Sequence, residues 1–521
     1  MAEGGINAAL GNVDPEDNWK IHMKDTIKEG VYLGNPRMVE LLTRNAESMI
    51  LELEKYGAIF DRTEEGRIRQ RAFGAQSYRR TCHISDKTGL EIMNVLVEQI
   101  HKNNIKNMPE VFVTKLLTVK NKIIGAVGVD LKSGEVLIFN AKVIILATGG
   151  FAKVYKITTN AWENVGDGIA LAYDLGVELM DMEMIQFHPT GMIYPEVARG
   201  ILVTEAVRGD GGHLLNNKGE RFMKNYDSKR MELSARDIVA RANYNEIFHG
   251  RGTKKGGVYL DISHKGKKFI NKHLPKMVKQ FKEFADLDIT KEKMEVAPTA
   301  HYSMGGIKID TETCSTKIKG LYAAGEVTGG VHGSNRLGGN SLMEILVFGK
   351  IAGRSAAKYA KKTKLTGIDN KEVEKEVERI TSPLNKKGIR AESIKEKLQG
   401  IMWEKVGIIR NEKDLQEALR EIKKLKSYVK KIGVKGDLRY NHGWMSYIDI
   451  HNMILVSELI IMSALTRKES RGGHYREDYK KTDKEWELNI VCKKIEEKIN
   501  LRKEKVPSMK KELRSILNEE D

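Results

Sequence analysis

Residues 301–346 read HYSMGGIKIDTETCSTKIKGLYAAGEVTGGVHGSNRLGGNSLMEIL. A His-Tyr pair precedes a glycine turn, and GLYAAGEV is strand-like and carries a carboxylate, Glu326. HGSNRLGGNSL then places His332, Arg336 and Ser341 among Gly329, Gly330, Gly333, Gly338 and Gly339. Glycine at this density lets backbone approach a flat or charged ligand closely. The following SLMEILVFGKIAGRSAAKYA has helical apolar spacing. A helix starting near Ser341 aims free N–H groups and partial positive charge at whatever lies before it. The stretch predicts an anion or cofactor cradle feeding a helix.

Upstream, residues 36–57 predict one amphipathic helix, with Pro36 at its start and Gly57 as its stop, and residues 86–107 predict another. From 111 to 147 the period changes to two, and VFVTKLLTV, IIGAVGVDL and EVLIFNAKVIILA predict strands. The last ends in Ala147-Thr148-Gly149-Gly150, as a buried parallel strand delivers a glycine turn to a ligand. A short helix is expected over 166–179, opening with Asp167. The G-x-G-x-x-G fingerprint of a dinucleotide fold does not occur. Beyond about 366 a charged helical pattern predicts a helical bundle, and the lysine- and glutamate-rich tail from about 480 is expected to be peripheral.

A chain of 521 residues can bury a large core and divide into several domains. Cys82, Cys314 and Cys492 form no C-x-x-C pair and no metal-ligand spacing, so neither an iron–sulfur cluster nor another metal site is expected within the chain. That cysteine usage fits a reducing, cytoplasmic setting. The net charge of +17 comes largely from lysines without interleaved aromatics. This reads as a solvated basic surface, with no nucleic-acid partner expected. MILVSELIIMSAL, interrupted by Glu458, is too short to span a bilayer, so any membrane association is expected to run through another subunit.

Several residues stand in settings that suit chemistry. His188 lies in QFHPTG, Thr204, Glu205 and Arg208 form T-E-x-x-R, Arg236 lies in SARDIVARA, His301 precedes Tyr302, and Arg336 sits in the cradle. Singly, each has an ordinary structural explanation. Together they suggest a pocket for a small dianion, because arginine contacts carboxylates bidentately. On these residues alone the cofactor is left open between a flavin and a nucleotide.

AEGGINAALGN, ATGG, GDG, QFHPTG, TEAVRGDGG, RDIVARA, HYSMGGI, GLYAAGEV, HGSNRLGGNSL and ESRGGHYRED occur in this order. As a set they closely resemble the flavoprotein subunits of the succinate dehydrogenase and fumarate reductase family, most like the flavoprotein of a fumarate reductase. The likeness runs from residue 2 to about 490. The resemblance implies an α/β fold: a two-part, Rossmann-like FAD-binding domain (1–181 and 300–365) with an inserted α+β capping domain (182–299). A helical domain (366–480) and a C-terminal tail (481–521) follow.

It also implies that fumarate and succinate interconvert by hydride transfer at FAD N5, with Arg236 as proton donor or acceptor. Glu205 and Arg208 match the relay that reprotonates it. A guanidinium surrenders a proton only where burial and neighbouring cations favour release. His188, Thr204, His301 and Arg336 match the substrate-carboxylate ligands. Gly4, Gly5, Thr148, Gly149, Asp167, Tyr302, Glu326, Arg336, Ser341 and Leu342 match FAD contacts. Electrons are expected to pass through an iron–sulfur partner subunit. L-Aspartate oxidase, which shares the flavin fold, is the alternative reading. Family members carry a strand, a G-x-G-x-x-G turn and a helix ahead of the point where this chain starts. An N-terminal truncation, with the first βαβ unit missing, is therefore expected.

Overall fold

The computed structural model describes residues 3–518. The chain start at Met1, on which the expected truncation turns, and residues 519–521 of the predicted tail lie outside that range. Ile144–Leu146 pairs in parallel with Leu321–Ala323, Leu146 standing opposite Ala323. The ATGG turn and the AAGE turn therefore leave this sheet side by side, at the carboxyl end of the parallel pair where α/β folds bind ligands. Beside them the helix Asn340–Lys362 begins at Gly339, whose φ of 86° is left-handed and which offers no side-chain cap. Its inner face, with Met343, Val347, Phe348 and Ala352, shares one apolar cluster with Leu42, Ala46 and Ile50 of the helix Pro36–Lys55. That second helix has Pro36 in its first turn and Asn35 Oδ1 accepting from Arg37 N at 2.9 Å.

The alternating segment predicted as strands forms an antiparallel meander, Val111–Val119, Lys122–Asp130 and Val136–Asn140. The capping unit has its own core, including Val207, Leu214, Leu260 and Phe281. Its antiparallel strands run in the order His213–Leu215, Val258–Asp261, Met294–Ser303, Ile185–Met192. The two long strands of this sheet lead back toward the flavin-binding part, with Gln186 opposite Tyr302 and His188 opposite Thr299. The register shifts between Ala300 and Tyr302. His301 falls in that shift, and such a bulge re-aims a side chain.

The helices Asn370–Thr381, Ala391–Lys405, Glu412–Val429 and His442–Thr466 pack into the charged-patterned region. Asp369, Asn411 and Asn441 cap three of their starts through side-chain oxygens. His442–Thr466 is longer than its apolar run suggested, because GWMSYIDIHN extends it toward the N-terminus. By length and composition it could cross a membrane, yet 67% of its most apolar window is buried inside this fold.

The segment expected as a peripheral tail is not peripheral. Leu488–Ile495 and Lys498–Lys505 form a hairpin whose first strand pairs with Leu179–Met180. Ile490, Val491 and Cys492 are buried. The high Lys and Glu content masked a short apolar stretch, NIVC, that inserts into the sheet.

Candidate active site

A cavity of about 360 Å³ opens between the capping strands and the start of the helix Asn340–Lys362. Of the residues expected at the site, Gly4, Gly5, His188, Thr204, Glu205, Arg236, His301, Tyr302, Glu326, Arg336, Ser341 and Leu342 line it. Arg208, Thr148, Gly149 and Asp167 are not among the lining residues.

Arg236 opens the helix Arg236–Glu246, and Glu205 caps the short helix Ala206–Gly209. Arg236 Nε donates to Glu205 Oε2 at 2.7 Å, and Nη2 donates to the same oxygen. Glu205 Oε1 accepts from Gly74 N at 2.9 Å and lies 3.6 Å from Arg208 Nη2. Burial alone would raise the Glu205 carboxyl, but the guanidiniums of Arg236 and Arg208 outweigh it and hold it down at about 2. Glu205 is therefore ionised at neutral pH. Arg208 lies behind it, fully buried, with Nη1 donating to Glu232 O at 2.6 Å. Burial and the Arg236 charge depress Arg208, against the opposing pull of Glu205.

The His188 and His301 rings stand edge to face with centroids 5.1 Å apart. Thr190 holds His188 Nδ1, with N at 3.2 Å and O at 3.0 Å, and Thr159 Oγ1 holds His301 Nδ1 at 2.8 Å. Burial and the Arg236 charge push His188 well below its ordinary value, while burial and His188 do the same to His301. Both rings are neutral at pH 7, and each keeps Nε2 for the cavity. Arg336 lies over the Tyr302 ring at 4.2 Å, and its Nη1 donates to Ser341 Oγ at 3.3 Å. Its buried Nε has no partner among the described residues, and burial together with Arg236 lowers Arg336 to about 10. Tyr302 O–H donates to Glu344, which also binds His332 Nε2 at 2.9 Å.

Residues outside the motifs also matter. Gln186 Oε1 accepts from Arg236 Nη1 at 3.0 Å, and Asn160 Nδ2 donates to His301 O at 2.8 Å. Gln186 was findable: it lies two residues before His188 on one strand, hence on the same face. Gly74, Thr159, Asn160 and Asn335 carry no local signal, because remote segments bring them in.

The residues present suit a flavin. The helix at Gly339 presents uncapped N–H groups toward the cavity. Thr148 Oγ1 and Asp167 Oδ1 are buried without partners among the described residues beside the ATGG turn, so they remain available to a ligand. Burial raises Asp167 to about 6 and Glu326 to about 7, which keeps both carboxyls able to donate or accept to sugar and ribityl hydroxyls. Glu326 Oε1 is fixed by Ser303 N at 2.9 Å. A parallel strand pair ending in this cradle, with an arginine-rich cavity under a capping unit, defines a flavoprotein oxidoreductase acting on a small anion.

Comparison with known proteins agrees. A family described as FAD binding domain matches residues 1–342, and one described as fumarate reductase flavoprotein C-term matches residues 395–515. The chain is 46% identical over 491 residues to a fumarate reductase (CoM/CoB) subunit of Methanothermobacter marburgensis, covering 94% of this chain and 89% of that one. Among solved structures, Mycobacterium smegmatis Sdh1 superposes with a TM-score of 0.86 at 43% identity, covering 98% of this chain and 88% of that one. E. coli quinol fumarate reductase FrdA superposes with a TM-score of 0.91 at 31% identity, covering 97% and 89% respectively. The chain belongs to the succinate dehydrogenase and fumarate reductase flavoprotein family and is an FAD-dependent enzyme of that family. The FAD-binding match begins at residue 1, which lends no support to the expected truncation or to a missing βαβ unit.

Proposed function

We propose that this chain interconverts fumarate and succinate, with Arg236 passing the proton and Glu205 and Arg208 resupplying it. The observation that carries the reading is the placement of Arg236. It stands at the cavity wall with two of its nitrogens on one ionised carboxylate, Glu205. A proton given up by Arg236 can be replaced across a hydrogen bond that already exists, so no side chain has to move far. Thr204 and the neutral His188 and His301 hold the substrate carboxylates, and Arg336 bears on the charge that develops on the substrate.

FAD, when bound, supplies the two-electron couple that exchanges a hydride at N5. On this chain Gly4, Gly5, Thr148, Gly149, Asp167, Tyr302, Glu326, Arg336, Ser341 and Leu342 hold it. The capping strands that carry His188 and His301 exclude water from the closed site. Electrons reach the flavoprotein through an iron–sulfur partner subunit, since Cys82, Cys314 and Cys492 are all buried and none is paired with another.

An anaerobic assay of FAD-loaded protein, following fumarate-dependent oxidation of a reduced dye, tests the reading. Turnover that is lost in Arg236→Lys while flavin absorbance is retained supports it. Aspartate oxidation without fumarate turnover would instead identify an L-aspartate oxidase.

A further inference from the structure

A second string of hydrogen bonds reaches Arg236 from the side away from Glu205. Arg236 Nη1 donates to Gln186 Oε1 at 3.0 Å. Gln186 Nε2 donates to Asn335 Oδ1 at 2.8 Å and to Arg336 O at 2.8 Å. Asn335 Nδ2 donates in turn to Glu29 Oε1 at 2.7 Å and to Asp237 Oδ1 at 2.9 Å. Glu29 is the last residue of the helix Trp19–Glu29 and is only 8% exposed. It belongs to none of the motifs that mark the site, and the chemistry described above does not use it.

The direction of the string is dictated by its ends. A guanidinium can only donate, so Gln186 must turn its oxygen to Arg236 and its nitrogen to Asn335. Asn335 must then turn its nitrogen outward, which requires acceptors there, and Glu29 and Asp237 are those acceptors. We infer that Glu29 is a positioning residue for Arg236, acting through Asn335 and Gln186 to set how readily Arg236 releases its proton; this rests on the proton-donor role proposed above.

The charge state of Glu29 gives the string its effect. The groups facing Glu29 are Asp237 of the helix Arg236–Glu246, Arg236 itself, Glu205 and Arg230. Burial and the Asp237 charge raise the Glu29 carboxyl well above the usual range, against the pull of Arg236. Asp237 is also paired with Arg241 Nη2 at 2.8 Å, so the proton shared by the two carboxyls resides on Glu29. At neutral pH Glu29 adds no charge beside Arg236. When Glu29 ionises at alkaline pH, a second buried negative charge joins Glu205 near the guanidinium. Proton release to substrate then slows.

The test is the pH profile of kcat for fumarate reduction by the FAD-loaded enzyme, each variant referred to its own rate at pH 7. The wild-type rate is expected to fall on the alkaline side about tenfold per pH unit beyond the midpoint of that fall. Glu29→Gln should lose this limb while keeping its acid side and its KM for fumarate. Asp237→Asn should move the limb to lower pH, because Glu29 then ionises without a like charge beside it. That opposite shift decides the matter if Glu29→Gln does not fold. Profiles that superimpose for all three proteins overturn the role of Glu29 alone. A wild type with no fumarate turnover overturns the proton-donor reading and this inference with it.

Discussion

Glu205→Gln removes one negative charge from between two buried guanidiniums. Glu205 Oε2 accepts from Arg236 twice and Oε1 from Gly74 N, so an amide must set its NH2 against one of these donors. Arg236 and Arg208 are then left buried without their shared counter-charge. Breaking a buried pair by removing one partner costs about 3–5 kcal/mol. The depression of Glu205 from its ordinary 4.5 to about 2 gives a consistent figure of about 3 kcal/mol.

The sign is fixed by the direction of that depression. The contribution is present at pH values above 4.5 and is lost as pH falls from there toward 2. Urea unfolding should therefore show Glu205→Gln less stable than wild type at pH 7, with the gap narrowing by about 2 kcal/mol at pH 3. Fumarate turnover should fall by a factor on the order of 10²–10⁴, with a much smaller change in KM. A gap of the same size at both pH values, or turnover within about threefold of wild type, refutes the reasoning.

Gly339→Ala places a Cβ 2.1 Å from Asn7 Oδ1 at a φ of 86°, so the start of the flavin-facing helix must shift. Gel filtration should show FAD lost from this variant while wild type keeps it. Asp167 has its pKa raised from 3.8 to about 6 by burial, so the apoprotein is penalised as pH rises through that interval. Apo Asp167→Asn should melt above wild type at pH 7.5 and level with it at pH 3.5, where the carboxyl is protonated in both states. His188 and His301 are held neutral, so the fumarate KM of wild type should stay flat between pH 6 and pH 8, where an ordinary histidine titrates. His301→Ala should raise that KM about tenfold, the loss of one hydrogen bond to a charged group.

Residues 301–346 exposed the cradle because its chemistry is local. The glycine density, the small-residue run into a helix and the strand before it lie within one continuous segment. The site itself is not local. His188 and His301 are more than a hundred residues apart in sequence, and only the antiparallel pairing of Ile185–Met192 with Met294–Ser303 brings them within 5.1 Å. The bulge that turns His301 inward depends on a register shift, which no single-strand pattern reveals. Gly74 and Thr159 act through one backbone N–H and one hydroxyl, so their residue types carry no signal. The hairpin at 488–505 was hidden for a different reason: its second strand is almost entirely charged, and only NIVC on the first meets the core.

The electrostatics around the cavity account for the choice of a dianion. Arg208, Arg236 and Arg336 are buried together, and each is felt by Glu205, the carboxylate among them that is firmly ionised. The histidines add no charge, because their rings are neutral at pH 7. Glu29 adds none at neutral pH, because it holds its proton. Three guanidiniums against one carboxylate leave an excess of two positive charges in a closed space, where an uncompensated charge is costly. A dicarboxylate cancels that excess on binding and a monocarboxylate leaves half of it. The same excess keeps Glu205 ionised and ready to return a proton to Arg236, so substrate selection and proton supply rest on one arrangement of charge.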